Sequence, residues 1–235
     1  MLIDTTCRSS AAEKLDDFSL SGIELNQALD KIASINRLLG GNQVTLSGVI
    51  TLMRLMTVER MVKIVDIGCG NGDMLRALAA YARNKGIRFE LTGIDANAAA
   101  IAHATALSQD FPEIKYICCD FLNSEGSEKY DIVLCTLTLH HFSNDQIEGL
   151  LKVFRQKAIL GIVINDLHRH RLAYYLFKII CVVFNLSELS RHDGLVSILR
   201  GFKRKDLTEF SHHIKSTVTI RWKWAFRYQW IIPTL

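Results

Sequence analysis

The stretch Val65-Asp66-Ile67-Gly68-Cys69-Gly70-Asn71-Gly72 constrains the fold of this chain more than any other. It follows an apolar, strand-like run from Met61 to Val65 and leads into a helical pattern from Asp73 to Arg83. A buried strand feeding a glycine turn and then a helix lets a small ligand press against bare backbone. Dinucleotide sites share the first two glycines. Their third, five positions after the first, brings a pyrophosphate onto the helix N-terminus. Here that position is Asp73, and Asp66 ends the strand before the turn. Two carboxylates repel a pyrophosphate and suit a ligand with a cationic end.

The D-x-G-x-G-x-G arrangement resembles the cofactor loop of class I S-adenosylmethionine-dependent methyltransferases. That cofactor carries an ammonium and a sulfonium and no phosphate. Phe89 to Asp95 reads as a second strand ending on an acid, where a carboxylate accepts from both ribose hydroxyls. Ile114 to Cys119 reads as a third strand, followed by Asp120 for the adenine amino group and Phe121 for the ring face. Each acid alone is an ordinary strand-end residue; three behind one glycine loop point to the cofactor. The resemblance covers about residues 60 to 165 by motif and the rest by general shape. It implies cofactor contacts from Asp66, Gly68, Gly70, Gly72, Asp95, Ala96, Asp120, Phe121, Cys135 and Thr136. Arg37 is a candidate for the methionine carboxylate. Its competing role is to complement the dipole at a helix end.

The order of elements agrees with an α/β fold, a Rossmann-like seven-stranded mixed sheet flanked by helices. An N-terminal helical arm over residues 1–57 holds a helix from Glu24 to Leu39, a stop at Gly40-Gly41-Asn42, and a second helix from Thr45 to Val58. The methyltransferase domain then spans 58–235. Its further elements are strands at Tyr130 to Cys135 and Ala158 to Ile164, with a helix from Asn144 to Gln156 between them. Strand–helix alternation implies parallel strands with right-handed crossovers. Residues 166–204 exceed an ordinary crossover and are expected to form a cap. In it, Ser190 to Gly194 is expected as a surface turn with a hinge at Gly194. A helix from Lys205 to His213 and an antiparallel pair, Thr217 to Trp222 and Phe226 to Ile232, close the chain.

A chain of 235 residues can bury a full core. Its net charge of +4 gives no dense basic stripe for nucleic acid. Six scattered cysteines without CxxC pairs, and no visible signal peptide, point to a reducing cytoplasm. The apolar run Leu172 to Phe184 is shorter than the ~20 residues of a spanning helix. It is expected as a mostly buried helix; the other readings are a substrate wall, a dimer face or a patch touching a membrane surface. A monomer and a homodimer both stay open.

The fourth and fifth strands end in Leu137-Thr138-Leu139-His140-His141-Phe142 and Asn165-Asp166-Leu167-His168-Arg169-His170. As neighbours they bring up to four imidazoles to one pocket. Histidine is the side chain suited to taking a proton near neutral pH. His168 is the first candidate base and His140 the second, although the first histidine of such a Leu-His-His-Phe stretch often only packs below the cofactor. Of the cap residues, His192 and Asp193 could orient a hydroxyl, and Arg191 or Arg200 could hold a carboxylate or an enolate. A metal is not expected. Cys135, Thr136 and Leu137 stand where cation-dependent relatives carry a hard acid, and zinc on the histidines and Asp166 is a minor reading.

Amino-group methyltransferases acting on bases carry an Asn/Asp-Pro-Pro-Tyr/Phe stretch after strand four. This chain has only Pro112 and Pro233. A small, aromatic or enolic acceptor methylated at oxygen is the expectation. The alternatives are carbon methylation of a phenol or quinol and a cofactor-binding partner protein without catalysis.

Overall fold

The computed structural model describes residues 3–57, 60–121, 128–214 and 217–234. Strand β1 (Val62–Ile67) is buried at every position but Lys63, as a central parallel strand must be when helices cover both sheet faces. It pairs in parallel with β2 (Phe89–Asp95) on one side and β4 (Tyr130–Thr136) on the other. With β3 (Ile114–Cys118), β5 (Ala158–Leu167), β6 (Thr219–Lys223) and β7 (Arg227–Pro233), the sheet order is β3-β2-β1-β4-β5-β7-β6. The first five strands are parallel, while β7 runs antiparallel to both β5 and β6. The strand order reverses between β1 and β4, and ligands of open α/β sheets settle beyond the strand ends at that reversal.

Helices α1 (Ile23–Leu38), α2 (Gly41–Met53), α3 (Asp73–Lys85) and α4 (Ala98–Leu107) precede β3 in the chain. Helix α5 (Asn144–Lys157) leads into β5, and α6 (Arg171–Val183), α7 (Glu188–Arg200) and α8 (Arg204–Ile214) lie between β5 and β6. Local signals set several ends. Asn97 caps α4 through Ala100 N, Ser143 and Gln146 form a reciprocal cap on α5, and Gly86 closes α3 in the left-handed region. Two apolar clusters sandwich the sheet. One gathers Phe154, Leu207, Phe210 and Trp230, the other Val49, Leu52, Leu75 and Leu78.

Four local expectations need correction. Helix α2 begins at Gly41 rather than Thr45, because Gly40 turns the chain directly from α1 into it, and it ends at Met53, short of the expected Val58, which itself lies outside the described residues. Strand β5 continues to Leu167, since β7 supplies ladder partners as far as Arg227. The stretch Ser190 to Gly194 lies inside α7 and not in a turn. Gly194 is packed tightly against α6, its missing Cβ leaving room for the Phe177 ring. Helix α6 is not mostly buried. Among its residues only Ala173 and Cys181 are, whereas Ile179 is 59% and Val182 73% exposed. An apolar run long enough for a helix states its length and not how many sides are covered, and α6 sits at the rim against α7.

Before α1, the segment 3–22 runs as a strap across the C-terminal ends of the strands. Buried Arg169 donates to the Thr5 and Thr6 carbonyls, and Arg8 donates to the carbonyls of His140, Phe142 and Arg200. The Asp193 carboxylate accepts from the amides of Lys14 and Leu15 at 2.9 Å each.

Candidate active site

The glycine loop turns back over the end of β2. The amides of Gly68 and Cys69 donate to the Ile94 carbonyl, and that of Gly70 donates to Asp95 Oδ2 at 2.9 Å. Gly68 takes φ 70°, and a Cβ there would run into the Thr138 side chain, so only glycine lets the loop lie this close to β4. Asp95 also accepts from Asn97 N at 3.0 Å, which fixes the carboxylate at the strand end.

These elements enclose a cavity of about 860 Å³, within the range of small-molecule and cofactor sites. Asp66, Gly68, Gly70, Asp95, Ala96, Asp120, Phe121 and Thr136 all stand on its wall. Asp66 is buried, its Oδ1 has no hydrogen-bond partner, and burial together with the neighbouring Asp95 pushes its carboxyl up to about 7. Phe121 packs on Phe154 at 5.5 Å between ring centroids, which fixes its plane at the cavity edge.

Three expected cofactor contacts stand elsewhere. Cys135 is fully buried and off the wall; neighbouring strand residues face opposite ways, so Thr136 meets the cavity and Cys135 the core. Gly72 also lies off the wall, its open side taken by the Tyr116 hydroxyl. Arg37 points outward and pairs with Asp73 Oδ1 at 2.9 Å, with 62% of its side chain exposed. Asp73 is further satisfied by Asn42 Nδ2 at 2.7 Å.

The cavity continues past the cofactor loop into a chamber walled by α1, α6, α7 and the strap, with Leu29, Ile32, Leu176, Phe177, Ile180 and Ile198 among its apolar residues. His140 and His141 stand on this part of the wall, and His168 and His170 do not. The His168 Nδ1 accepts from Trp222 Nε1 at 3.2 Å, and its ring lies against Tyr228 and Phe226. Burial, helped by His170, lowers its pKa to about 4. Leu167, the last residue of β5, still lines the cavity, but the next residue, His168, is held by the β6–β7 hairpin instead.

His140 is 2% exposed, and its Nδ1 lies 2.6 Å from Asp166 Oδ1. Asp166 also accepts from the His140 amide at 3.2 Å. Burial pushes the Asp166 carboxyl up, but the charge and hydrogen bond of His140 outweigh it and hold it below its ordinary value. With Nδ1 engaged by a carboxylate, Nε2 carries the free lone pair. That atom has no hydrogen-bond partner and lies 3.6 Å from Glu13 Oε1 of the strap, itself unpartnered. Burial raises Glu13 to about 6.

Other candidates turn out to hold the strap. Arg200 donates to the His140 and Ala11 carbonyls and pairs with Asp16 at 2.7 Å, and His192 bonds Asp193 at 2.8 Å. Zinc on four histidines is not assembled. Glu13, His140 and His141 do bring ligand atoms within 4.8 Å of one another, but His141 Nδ1 is already bonded to Asp16 at 2.5 Å. No motif in the sequence marks Glu13, a single glutamate in a polar stretch. Asp166 was legible as an acid near the end of a strand and a minor zinc ligand, not as the partner of His140.

Residues 64–157 match the family described as Methyltransferase domain. The ubiquinone biosynthesis O-methyltransferase of Rickettsia conorii is 30% identical over 117 residues, 48% of this chain and 38% of that protein. The Rickettsia typhi protein of the same description is 31% identical over 127 residues, 53% of this chain and 48% of the relative. The chain thus spans less than half the length of these relatives. Among solved structures, the plantazolicin methyltransferase BpumL in complex with SAH superposes with a TM-score of 0.67 at 17% identity, covering 90% of this chain and 95% of that one. Magnesium protoporphyrin IX methyltransferase from Synechocystis PCC 6803 with bound SAM gives 0.55 at 14% identity, covering 85% and 83%. The fold is that of class I methyltransferases.

Proposed function

We propose that this chain, which carries a class I methyltransferase domain, transfers a methyl group from S-adenosylmethionine to a hydroxyl oxygen of a small, largely apolar acceptor. The observation that carries this reading is one continuous cavity with Asp66, Asp95 and Asp120 at one end and the His140–Asp166 pair at the other. The residues fit the cofactor. Asp66, buried with an unpartnered oxygen, suits an ammonium; Asp95 keeps lone pairs for ribose hydroxyls; Asp120 and Phe121 flank the place of a base. When bound, S-adenosylmethionine supplies a methyl group on a sulfonium leaving group.

The chain's part is placement and proton transfer. Helices α6 and α7 and the strap wall the chamber in which the acceptor would be held, and aligned reactants gain roughly 7–11 kcal/mol from positioning. His140 Nε2, without a hydrogen-bond partner on the cavity wall, is placed to take the proton of an acceptor hydroxyl. Asp166 fixes the ring and stabilises the resulting imidazolium. Glu13 stands beside the same nitrogen. The apolar chamber favours an aromatic acceptor over a charged polymer. Among the described residues no helix is long and apolar enough to cross a membrane.

Asp95→Ala is expected to raise the dissociation constant of S-adenosylhomocysteine about 10²-fold, since hydrogen bonds to a charged acceptor are worth about 1.5–3 kcal/mol each. Calorimetry on folded variant measures it, and an unchanged constant removes the ribose assignment. A panel of phenols and quinols with labelled cofactor tests the reaction, with the position of label in the product distinguishing oxygen from carbon. Tight cofactor binding without turnover of any acceptor would favour a binding protein.

A further inference from the structure

Two of the buried guanidinium groups in this chain have carboxylate partners. Arg169 pairs with Asp206 at 3.0 Å and Arg200 with Asp16 at 2.7 Å. Arg227, the first residue of β7, is 2% exposed and pairs with no carboxylate among the described residues. Its Nη1 donates to Asn36 Oδ1 at 2.7 Å, and its Nε has no hydrogen-bond partner. Burial brings its pKa down to about 10, and the charge of Asp166, already engaged by His140, offsets this only in part. A buried cation without counter-charge is costly. Arg227 stands on the cavity wall, so the missing charge can arrive from the cavity.

The hydrogen bonds around it indicate which anion. Asn36 Nδ2 donates to Asn42 Oδ1 at 2.8 Å, and Asn42 Nδ2 donates to Asp73 Oδ2 at 2.7 Å. Asn36, Asn42, Asp73 and Arg227 all line the cavity. This run therefore has a guanidinium at one end and, at the other, Asp73 at the start of α3, just past the glycine loop that follows Asp66. An α-amino acid presents a carboxylate and an ammonium on one carbon, matching that polarity. The first turn of α2, whose Gly41 lies against Nη1, adds the positive end of a helix dipole.

We propose that Arg227, held by Asn36, is a carboxylate anchor for the amino-acid end of the cofactor, the role that Arg37 leaves vacant. The proposal rests on the methyltransferase reading. An acceptor carboxylate is the other source of the same chemistry.

Calorimetry compares S-adenosylhomocysteine with the analogue lacking only its carboxylate. The wild type is expected to prefer the carboxylated ligand by about 10²-fold, as for a buried charge pair. Arg227→Met should bind both alike. Gly41→Ala keeps the charge but pushes a methyl against Nη1 and Asn36 Oδ1, and should lose part of the preference in the same direction. A second arm measures 3,4-dihydroxybenzoate against catechol on the S-adenosylhomocysteine-loaded protein. Loss of preference there alone assigns the anchor to the acceptor and overturns its place at the cofactor. A folded Arg227→Met protein that keeps both preferences overturns the anchor altogether. A wild type that binds S-adenosylhomocysteine without regard to its carboxylate also overturns the proposal while leaving the methyltransferase reading intact. A wild type that binds neither ligand overturns both.

Discussion

His140→Ala is expected to lower turnover by about 10²–10⁴-fold, the usual contribution of a positioned proton acceptor, with little change in cofactor affinity. His168→Ala should leave turnover within about threefold of the wild type, because that ring lies off the cavity and its Nδ1 is engaged by Trp222. The contrast isolates geometry, since both residues are histidines at the ends of neighbouring strands. Asp166→Asn keeps the shape but withdraws the charge that stabilises the imidazolium, so it should reproduce much of the His140 loss. Single-turnover rates on cofactor-loaded protein measure all three. Equal losses at His140 and His168, or none at His140, would remove the base from the 139–141 turn.

Asp66→Asn should stabilise the protein without ligand at pH 8 and weaken its hold on cofactor. Burial and Asp95 raise the Asp66 carboxyl to about 7, so the folded state keeps a proton that the unfolded chain gives up near pH 4. A raised pKa means that the contribution is fully present below the unfolded value and is lost as pH rises through about 7. Above that the buried carboxylate costs the fold about 2–4 kcal/mol, which asparagine removes. Melting curves at pH 5 and pH 8 read this directly. The gain should be large at pH 8 and much smaller at pH 5, and equal gains at both would show that ionisation is not the cause. In the proposed complex the cofactor ammonium is the missing counter-charge. S-adenosylhomocysteine should therefore bind Asp66→Asn at least about tenfold more weakly.

What could be read beforehand is what depends on neighbours in sequence. Strand β2 runs from Phe89 to Asp95 as expected, and the turn from Ile67 through Gly72 follows β1, because apolar runs, glycines and a strand-ending acid are local signals. Asp66, Asp95 and Asp120 reach one cavity because parallel strands must end at the same edge of the sheet. The choice between His140 and His168 is not local. It depends on the hairpin of β6 and β7, more than fifty residues further on, whose Trp222 and Phe226 hold the His168 ring. Cys135 and Thr136 differ by one step of the strand pleat, and the register is set by partners on β1 and β5. Glu13 and Arg227 come from opposite ends of the chain, and neither sits in a pattern. The exposed side of α6 is likewise decided by what packs on it.

The strap has a consequence for how the molecule comes into being. Thr5 waits for Arg169, Lys14 for Asp193 and Ala11 for Arg200, pairs separated by 164, 179 and 189 positions. At ribosomal speeds of about 5–20 residues per second, the strap of a nascent chain spends on the order of ten to forty seconds without these partners. The end of the cavity proposed for the nucleoside is built from residues 62–121, all made within that interval. The end proposed for proton transfer needs Glu13, His140 and Asp166 together, and these are far apart in the chain. Birth order thus separates the two ends of the cavity, and the strap, made long before its partners, must wait for them to find its place.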